Sequence, residues 1–258
     1  MDLFALFARS PPPARFPEGR VGYAVGDIHG RADLLADMLS ELEARLRDDL
    51  AAGASPVVIF LGDYVDRGPD SRVVLDILLA RRLDGAKVHY LRGNHEQSML
   101  AFIDEPLSNK AWLLQGGAET LLSYGVQPPS PLNATDSDWI GVAQLLRARL
   151  PDEHYAFLAG LERYVALGGY AFVHAGVDAS KSLENQTDAA LYWSRKQFLA
   201  SKRRFSHRVV HGHTPVDQPY ADARRVAVDT GAYASGRLTA ARFEGDAVSF
   251  LTVAKRSP

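Results

Sequence analysis

Five short clusters of aspartate, histidine and asparagine, most of them flanked by glycine, hold the groups in this sequence best suited to chemistry. In chain order they are Gly26-Asp27-Ile28-His29-Gly30, Gly62-Asp63-Tyr64-Val65-Asp66-Arg67-Gly68, Gly93-Asn94-His95-Glu96, His174-Ala175-Gly176 and His211-Gly212-His213-Thr214. Asp, His and Asn are ligands for hard or borderline divalent cations, and an adjacent glycine lets the backbone turn sharply to bring such a side chain into a cleft. A single metal does not need so many ligands. Asp27, His29 and Asp63 can form one site and Asn94, His174 and His213 another, with Asp63 shared through its two carboxylate oxygens. Two metals about 3.5–4 Å apart would then flank a bridging water. Such a pair makes hydroxide at neutral pH and binds phosphoryl oxygens, so the chemistry indicated is hydrolysis of a phosphate ester. Charge building on those oxygens calls for cationic forks, and Arg67 and Arg195 are the candidates. A leaving alkoxide needs a proton. His95, next to a ligand without being needed as one, suits a general acid, with Asp66 to hold and polarise its ring.

Each cluster follows a short β-prone run, and the runs alternate with helical patterns, which indicates an α/β fold. Strands are expected at Gly22 to Val25, Val57 to Leu61, Lys87 to Leu91, Tyr170 to Val173, Arg208 to Val210 and Arg225 to Val228, with a hairpin across Leu238 to Thr252. Leu34, Leu35, Met38, Leu39, Leu42, Leu46 and Leu50 recur at helical spacing, as do Val73, Val74, Ile77 and Leu78. Further helices are expected around 111–124, 139–150, 153–161 and 189–200. Sites in open α/β sheets collect at the carboxyl ends of strands, so the five clusters converge if their strands are neighbours. The region 97–169 contains no ligand cluster, and its helices are expected to cap the cleft and set specificity.

The balance of charge narrows the classes of function. The chain has 258 residues, 29 Lys and Arg against 31 Asp and Glu, a formal charge of -2 and no cysteine. That is an ordinary single domain without the basic surplus of a nucleic-acid binder, and cysteine nucleophiles, thiolate zinc sites and disulfides are excluded. No apolar run approaches the roughly 18–20 residues of a spanning helix, so a cytoplasmic location without a membrane partner is expected. Residues 1–20, with four prolines between Pro11 and Arg20, read as a loosely ordered leader to a single domain at 21–258.

GDIHG, GDYVDRG, GNHE and the histidines of HAG and GHT, in this order, closely resemble the phosphoprotein phosphatase family of metallophosphoesterases, from about Val21 to Thr239. Trp193-Ser194-Arg195, His211-Gly212-His213-Thr214-Pro215 and Asp229-Thr230-Gly231-Ala232 are similar to its short bacterial and phage branch of serine/threonine phosphatases. The resemblance implies a calcineurin-like αββα sandwich of two packed sheets and two divalent metals, usually manganese, with iron, zinc or cobalt also compatible. It implies direct attack by a metal-bridging hydroxide without a phosphoenzyme. By it, Asp27 and His29 serve the first metal, Asp63 bridges, and Asn94, His174 and His213 serve the second. Arg67 and Arg195 bind phosphate alongside Asn94, and His95 with Asp66 forms the acid pair. The substrate implied is a phosphorylated protein or a small phosphoester. A dinucleoside polyphosphate hydrolase of the same superfamily is the alternative, although that relative commonly has GNHD where this chain has GNHE. A non-catalytic phosphate-binding adaptor is a third.

Blander readings stand beside these. Asp and Asn next to Gly are common in turns. His211 competes with His213 for one role and can instead support it from behind. Glu96 can accept hydrogen bonds from the site or simply open a helix. Trp112 and Trp193 read as core, and His89, His154 and His207 as structural or exposed.

Overall fold

The structure is a computed structural model that describes residues 14–130 and 132–255. Its first sheet has the order β10-β9-β1-β2-β3, with strands β1 (Arg20–Val25), β2 (Ser55–Phe60), β3 (Lys87–Tyr90), β9 (Arg237–Glu244) and β10 (Ala247–Ala254). The second has the order β4-β5-β6-β8-β7, from β4 (Val165–Leu167), β5 (Tyr170–Phe172), β6 (Arg208–His211), β7 (Tyr220–Ala221) and β8 (Arg225–Ala227). β1, β2 and β3 run parallel, and so do β5, β6 and β8. Helices α1 (Ala32–Ala51) and α2 (Ser71–Ala80) make the crossovers that parallel pairing needs.

Alternation along the strands builds two cores at once. Val21, Tyr23, Val25, Val58 and Phe60 face the helices, joining Leu34, Leu35, Met38, Leu39, Leu42 and Leu46 of α1. Ala24, Val57, Ile59 and Leu61 face the other way, into Tyr170, Phe172, Val210, Val226 and Phe243 between the sheets. This is why the central strands read as continuous apolar runs: both faces are buried. The outer face of the second sheet is covered by α7 (Asp188–Trp193), through Leu191 and Tyr192 against Ala171, Val173 and Val209. The result is the expected αββα sandwich.

Helices α3 (Asn94–Asp104), α4 (Ala118–Ser123), α5 (Asp136–Arg149) and α6 (Asp152–Ala159) add to the helical core on the first sheet, and α8 (Lys196–Ala200) and α9 (Ala232–Ser235) are short. Of the region 97–169, Trp112 and Thr120 reach Asp66 and Phe157 packs on Tyr64. The helix expected over 189–200 is broken into α7 and α8 at Ser194 and Arg195. Most of the expected leader lies outside the described residues, but its last part is not loose. Phe16 is buried, stacks on Phe243 at 6.0 Å and donates its N–H to the Gly245 carbonyl, and Arg15 accepts from Gly169 N–H. Burying a phenylalanine between the sheets fixes that end of the segment, a contact that proline content does not reveal.

Candidate active site

All five clusters leave the carboxyl ends of parallel strands, and the structure gathers them at one edge of the sandwich. The backbone there is strained in a way that marks function. His29, Asp63, Asp66, Arg67 and His213 are the non-glycine residues with positive φ among those described, at 48°, 54°, 74°, 69° and 63°. Side chains in that region cost on the order of 1–3 kcal/mol each, so their surroundings must hold them there. Glu96 does much of this for the second cluster. Its buried carboxylate accepts N–H bonds from Asp63 (3.0 Å), Tyr64 (2.7 Å), Val65 (3.3 Å) and Gly93 (2.9 Å) while it also opens α3. Both readings of Glu96 therefore hold together.

His29 donates from Nδ1 to the Val65 carbonyl at 2.9 Å, which leaves the Nε2 lone pair facing Asp63 Oδ2 at 3.4 Å. His174 is tied the same way: Nδ1 donates to the Leu61 carbonyl at 2.9 Å, and Nε2 faces Asn94 Oδ1 at 3.0 Å and Asp63 Oδ1 at 3.4 Å. His213 Nδ1 joins them, 2.8 Å from Asn94 Oδ1 and 3.2 Å from His174 Nε2. Imidazoles anchored through one nitrogen by a carbonyl present the other as a ligand. The two oxygens of the one Asp63 carboxylate thus meet different ligand atoms, Oδ2 that of His29 and Oδ1 that of His174.

Two groups of side chains could each hold a cation: His29, Asp63 and His95, and Asp63, His174 and His213, with their ligand atoms within 4.8 Å of one another. The first departs from expectation, since His95 stands where Asp27 was expected. Asp27 is beside it, with Oδ2 turned to the backbone N–H of His213 at 2.9 Å and a buried Oδ1 that has no hydrogen-bond partner. An orphaned carboxylate oxygen is costly unless a cation completes it. Burial, with the charges of Asp229 and Asp63, pushes Asp27 well above the usual carboxylate range. Burial likewise lowers His29 to about 3 and, together with the neighbouring His174, His213 to about 2. Burial opposes protonation of His174, but the charge of Asp63 and the bond to it outweigh burial and raise its proton affinity. Imidazole nitrogens facing crowded carboxylates are the donor set of a divalent metal centre, so the residues fit the expected ions.

His95 Nδ1 is 2.7 Å from Asp66 Oδ2, and its Nε2 lies 3.9 Å from Asp63 Oδ2. Burial opposes protonation of His95, but the charges of Asp63 and Asp66 and the bond to Asp66 outweigh it and raise its proton affinity. Asp66 is itself held by two donors that the sequence did not reveal, Trp112 Nε1 at 2.8 Å and Thr120 Oγ1 at 2.6 Å. Trp112 is buried as expected, yet it is more than core. The pair Gly116-Gly117 inside a helical pattern was the available signal, since glycine there marks a close approach. Gly116, at φ 111°, lies against Arg67 and accepts its N–H at 3.0 Å.

The two arginines each reach a different ligand histidine. Arg67 Nη1 reaches His29 Nε2 at 3.0 Å, with its guanidinium 4.9 Å above the Tyr233 ring. Arg195 donates from Nε to His213 Nε2 at 2.9 Å, so it is not a surface residue packing only its stem. Tyr233, 5.4 Å from the His29 ring, was not anticipated; its place two residues after Gly231 was the only cue. Trp193 corrects the core reading, because it is 41% exposed and donates its N–H to Gln97 at 2.7 Å. His211 belongs to neither candidate ligand group and packs on Phe198. His154 is buried between Tyr124 and Asp76, His89 pairs with Glu162 and His207 with Ser206, all structural. Among the described residues no helix is long and apolar enough to cross a membrane.

The family model for calcineurin-like phosphoesterases matches residues 23–250. The chain is similar to the bis(5'-nucleosyl)-tetraphosphatase PrpE (asymmetrical) of Geobacillus thermodenitrificans, at 28% identity over 71% of this chain and 74% of the relative. It is similar as well to serine/threonine-protein phosphatase 1 of Salmonella typhimurium, at 29% identity over 86% of this chain and 91% of the relative. The crystal structure of a protein designated a candidate diadenosine tetraphosphatase superposes with a TM-score of 0.62 at 19% identity, covering 93% of this chain and 98% of that one. At that identity the likeness is one of fold.

Proposed function

The chain belongs to the calcineurin-like phosphoesterase family, and on that premise we propose that it is a dimetal serine/threonine protein phosphatase. The observation that carries the reading is the buried pair of His95 and Asp66 set against Asp63, the carboxylate common to both candidate ligand groups. A serine or threonine alkoxide is a poor leaving group and needs a proton as the P–O bond breaks; a phosphate leaving from an anhydride does not. A buried His and Asp pair suits the first task.

Asp27, His29 and Asp63 would hold one divalent ion, and Asp63, Asn94, His174 and His213 the other. Bound there, the ions supply Lewis-acid stabilisation of the phosphoryl oxygens and activation of the attacking water. Arg67 beside His29 and Arg195 beside His213 clamp the remaining oxygens, with the Asn94 side chain alongside. Asp66 fixes the His95 ring by its Nδ1, so that Nε2 carries the proton toward the ester oxygen. Manganese is the ion proposed, since oxygen and imidazole ligands accept it readily.

A cavity of about 520 Å³ beside Arg195 favours a second reading. It is lined by Trp193, Arg195, Lys196, Phe198 and Arg203, with Asp178 as its carboxylate. Three cations and an exposed aromatic face would accept the rest of a nucleotide, as a dinucleoside polyphosphate hydrolase requires. Manganese-supplemented hydrolysis of a phosphoserine peptide and of diadenosine tetraphosphate, compared by kcat/KM, tests the two. Preference for the peptide is expected; preference for the dinucleotide would replace the first reading by the second, and no hydrolysis of either would refute both.

A further inference from the structure

Nothing in the family match assigns a role to the segment from Trp112 to Thr120, yet it touches both Asp66 and Arg67 of the Gly62–Gly68 loop. We propose that Trp112 and Thr120 are positioning residues for leaving-group protonation, holding the Asp66 carboxylate at the angle from which it aims His95. The inference rests on the reading of His95 as the acid. Asp66 is fully buried and sits at φ 74°, so neither solvent nor a relaxed backbone holds its carboxylate. Its oxygens are shared out among three donors. Oδ2 accepts from His95 Nδ1 at 2.7 Å and from Trp112 Nε1 at 2.8 Å, and Oδ1 accepts from Thr120 Oγ1 at 2.6 Å. With donors on both oxygens the carboxylate cannot rotate about its own bond, and the His95 ring inherits that fixed direction.

The same segment closes the loop from the other end. Thr120 Oγ1 also accepts the Asp66 N–H at 2.9 Å and lies 2.9 Å from Ser71 Oγ, while the Gly116 carbonyl takes the N–H of Arg67. One short segment thus sets the partner of the acid and the root of a phosphate-binding arginine. Its own position is set by packing, with the Trp112 ring 5.0 Å from Phe102 in the helical core. A network in which each member is satisfied is stiff, and removing one donor frees the rest.

In the step concerned, the P–O bond to the alcohol breaks and its electron pair goes to the ester oxygen. That oxygen takes the proton from His95 Nε2. The attacking water provides the oxygen that phosphorus gains and, through solvent, the proton that restores His95. Loss of aim should therefore matter in proportion to how badly the leaving group needs a proton.

The test is leaving-group dependence in the manganese-loaded full chain. Trp112→Phe keeps a ring and deletes the N–H; Thr120→Val keeps the shape and deletes the hydroxyl; Thr120→Ser restores it. The first two variants are expected to lower kcat about 10- to 100-fold on phenyl phosphate and a phosphoserine peptide, with KM unchanged. On p-nitrophenyl phosphate, whose leaving group needs no proton, the loss should stay below about 3-fold, and Thr120→Ser should recover most of the activity. Equal losses on all substrates, or no loss, would overturn the proposal and leave Trp112 and Thr120 as core residues. If Trp112→Phe does not fold, Thr120→Val and Thr120→Ser decide. A wild-type enzyme that turns over p-nitrophenyl phosphate but neither poor substrate would instead refute the acid reading itself.

Discussion

Replacing Glu96 by alanine should cost this protein a large share of its stability before any chemistry is assayed. The Glu96 side chain is fully buried and is the acceptor for four backbone N–H groups, those of Asp63, Tyr64, Val65 and Gly93. A buried donor left without a partner costs about 1–3 kcal/mol. Even at the lower end, four amount to about 4 kcal/mol, and the cavity left by the side chain adds to that. Domains of this kind have about 5–15 kcal/mol in all, so about 4 kcal/mol is a drop in Tm of roughly 8–16 °C. Thermal unfolding of the metal-free protein, followed by circular dichroism, is the assay. Glu96→Gln should fall about halfway, because one amide oxygen can serve the N–H groups of Tyr64 and Val65 or those of Asp63 and Gly93, but not both. A loss under about 1 kcal/mol in Glu96→Ala would show that the second cluster holds its left-handed backbone without these bonds.

Asp27→Asn should stabilise the metal-free protein at neutral pH, because burial and its acidic neighbours raise the folded-state pKa of Asp27 and its ionisation opposes folding. That penalty appears above the ordinary carboxylate pKa and is complete above the raised one, so the advantage of Asn should vanish near pH 4 in urea unfolding with chelator. An advantage equal at pH 4 and pH 7 would remove the electrostatic explanation. His95→Asn should lower kcat about 10²- to 10⁴-fold with metal content kept, measured by atomic absorption beside kinetics. Loss of metal instead would mean that His95 belongs to the ligand set, as its grouping with His29 and Asp63 allows. Arg67→Ala should weaken inhibition by inorganic phosphate and lower kcat/KM at least about 10-fold; unchanged kinetics on a phosphopeptide would take Arg67 out of the site.

Much of the site was legible because its parts are local. Asp27, Asp63, Asn94, His174 and His213 follow short apolar runs that alternate with helical segments, and strand topology alone brings them together. The bonds that tune the site were not legible in the same way. Trp112 and Thr120 reach Asp66 across 46 and 54 residues of sequence, and no periodicity records such a contact. β4 and β7, of three and two residues, are too short to leave a pattern and are defined by their partners β5 and β8. Trp193 was misplaced for a related reason. An apolar residue at the end of an amphipathic helix reads as core, whereas here the break at Ser194 leaves its ring exposed and tethered to Gln97.

The close seating of the cluster loops bears on where this enzyme can change. Gly30 and Gly68 meet backbone to backbone, so that a Cβ on Gly30 would come within 2.5 Å of the Gly68 carbonyl, and a Cβ on Gly212 would strike Asp27 Oδ1. Loops in such contact tolerate neither insertion nor added bulk, whereas Trp193, Arg195, Lys196 and Arg203 at the cavity are exposed. Divergence in substrate preference is thereby expected at that rim. Exchanging the exposed rim residues Trp193, Lys196 and Arg203 for those of a relative with another preference should accordingly shift specificity while the metal-binding frame stays as it is.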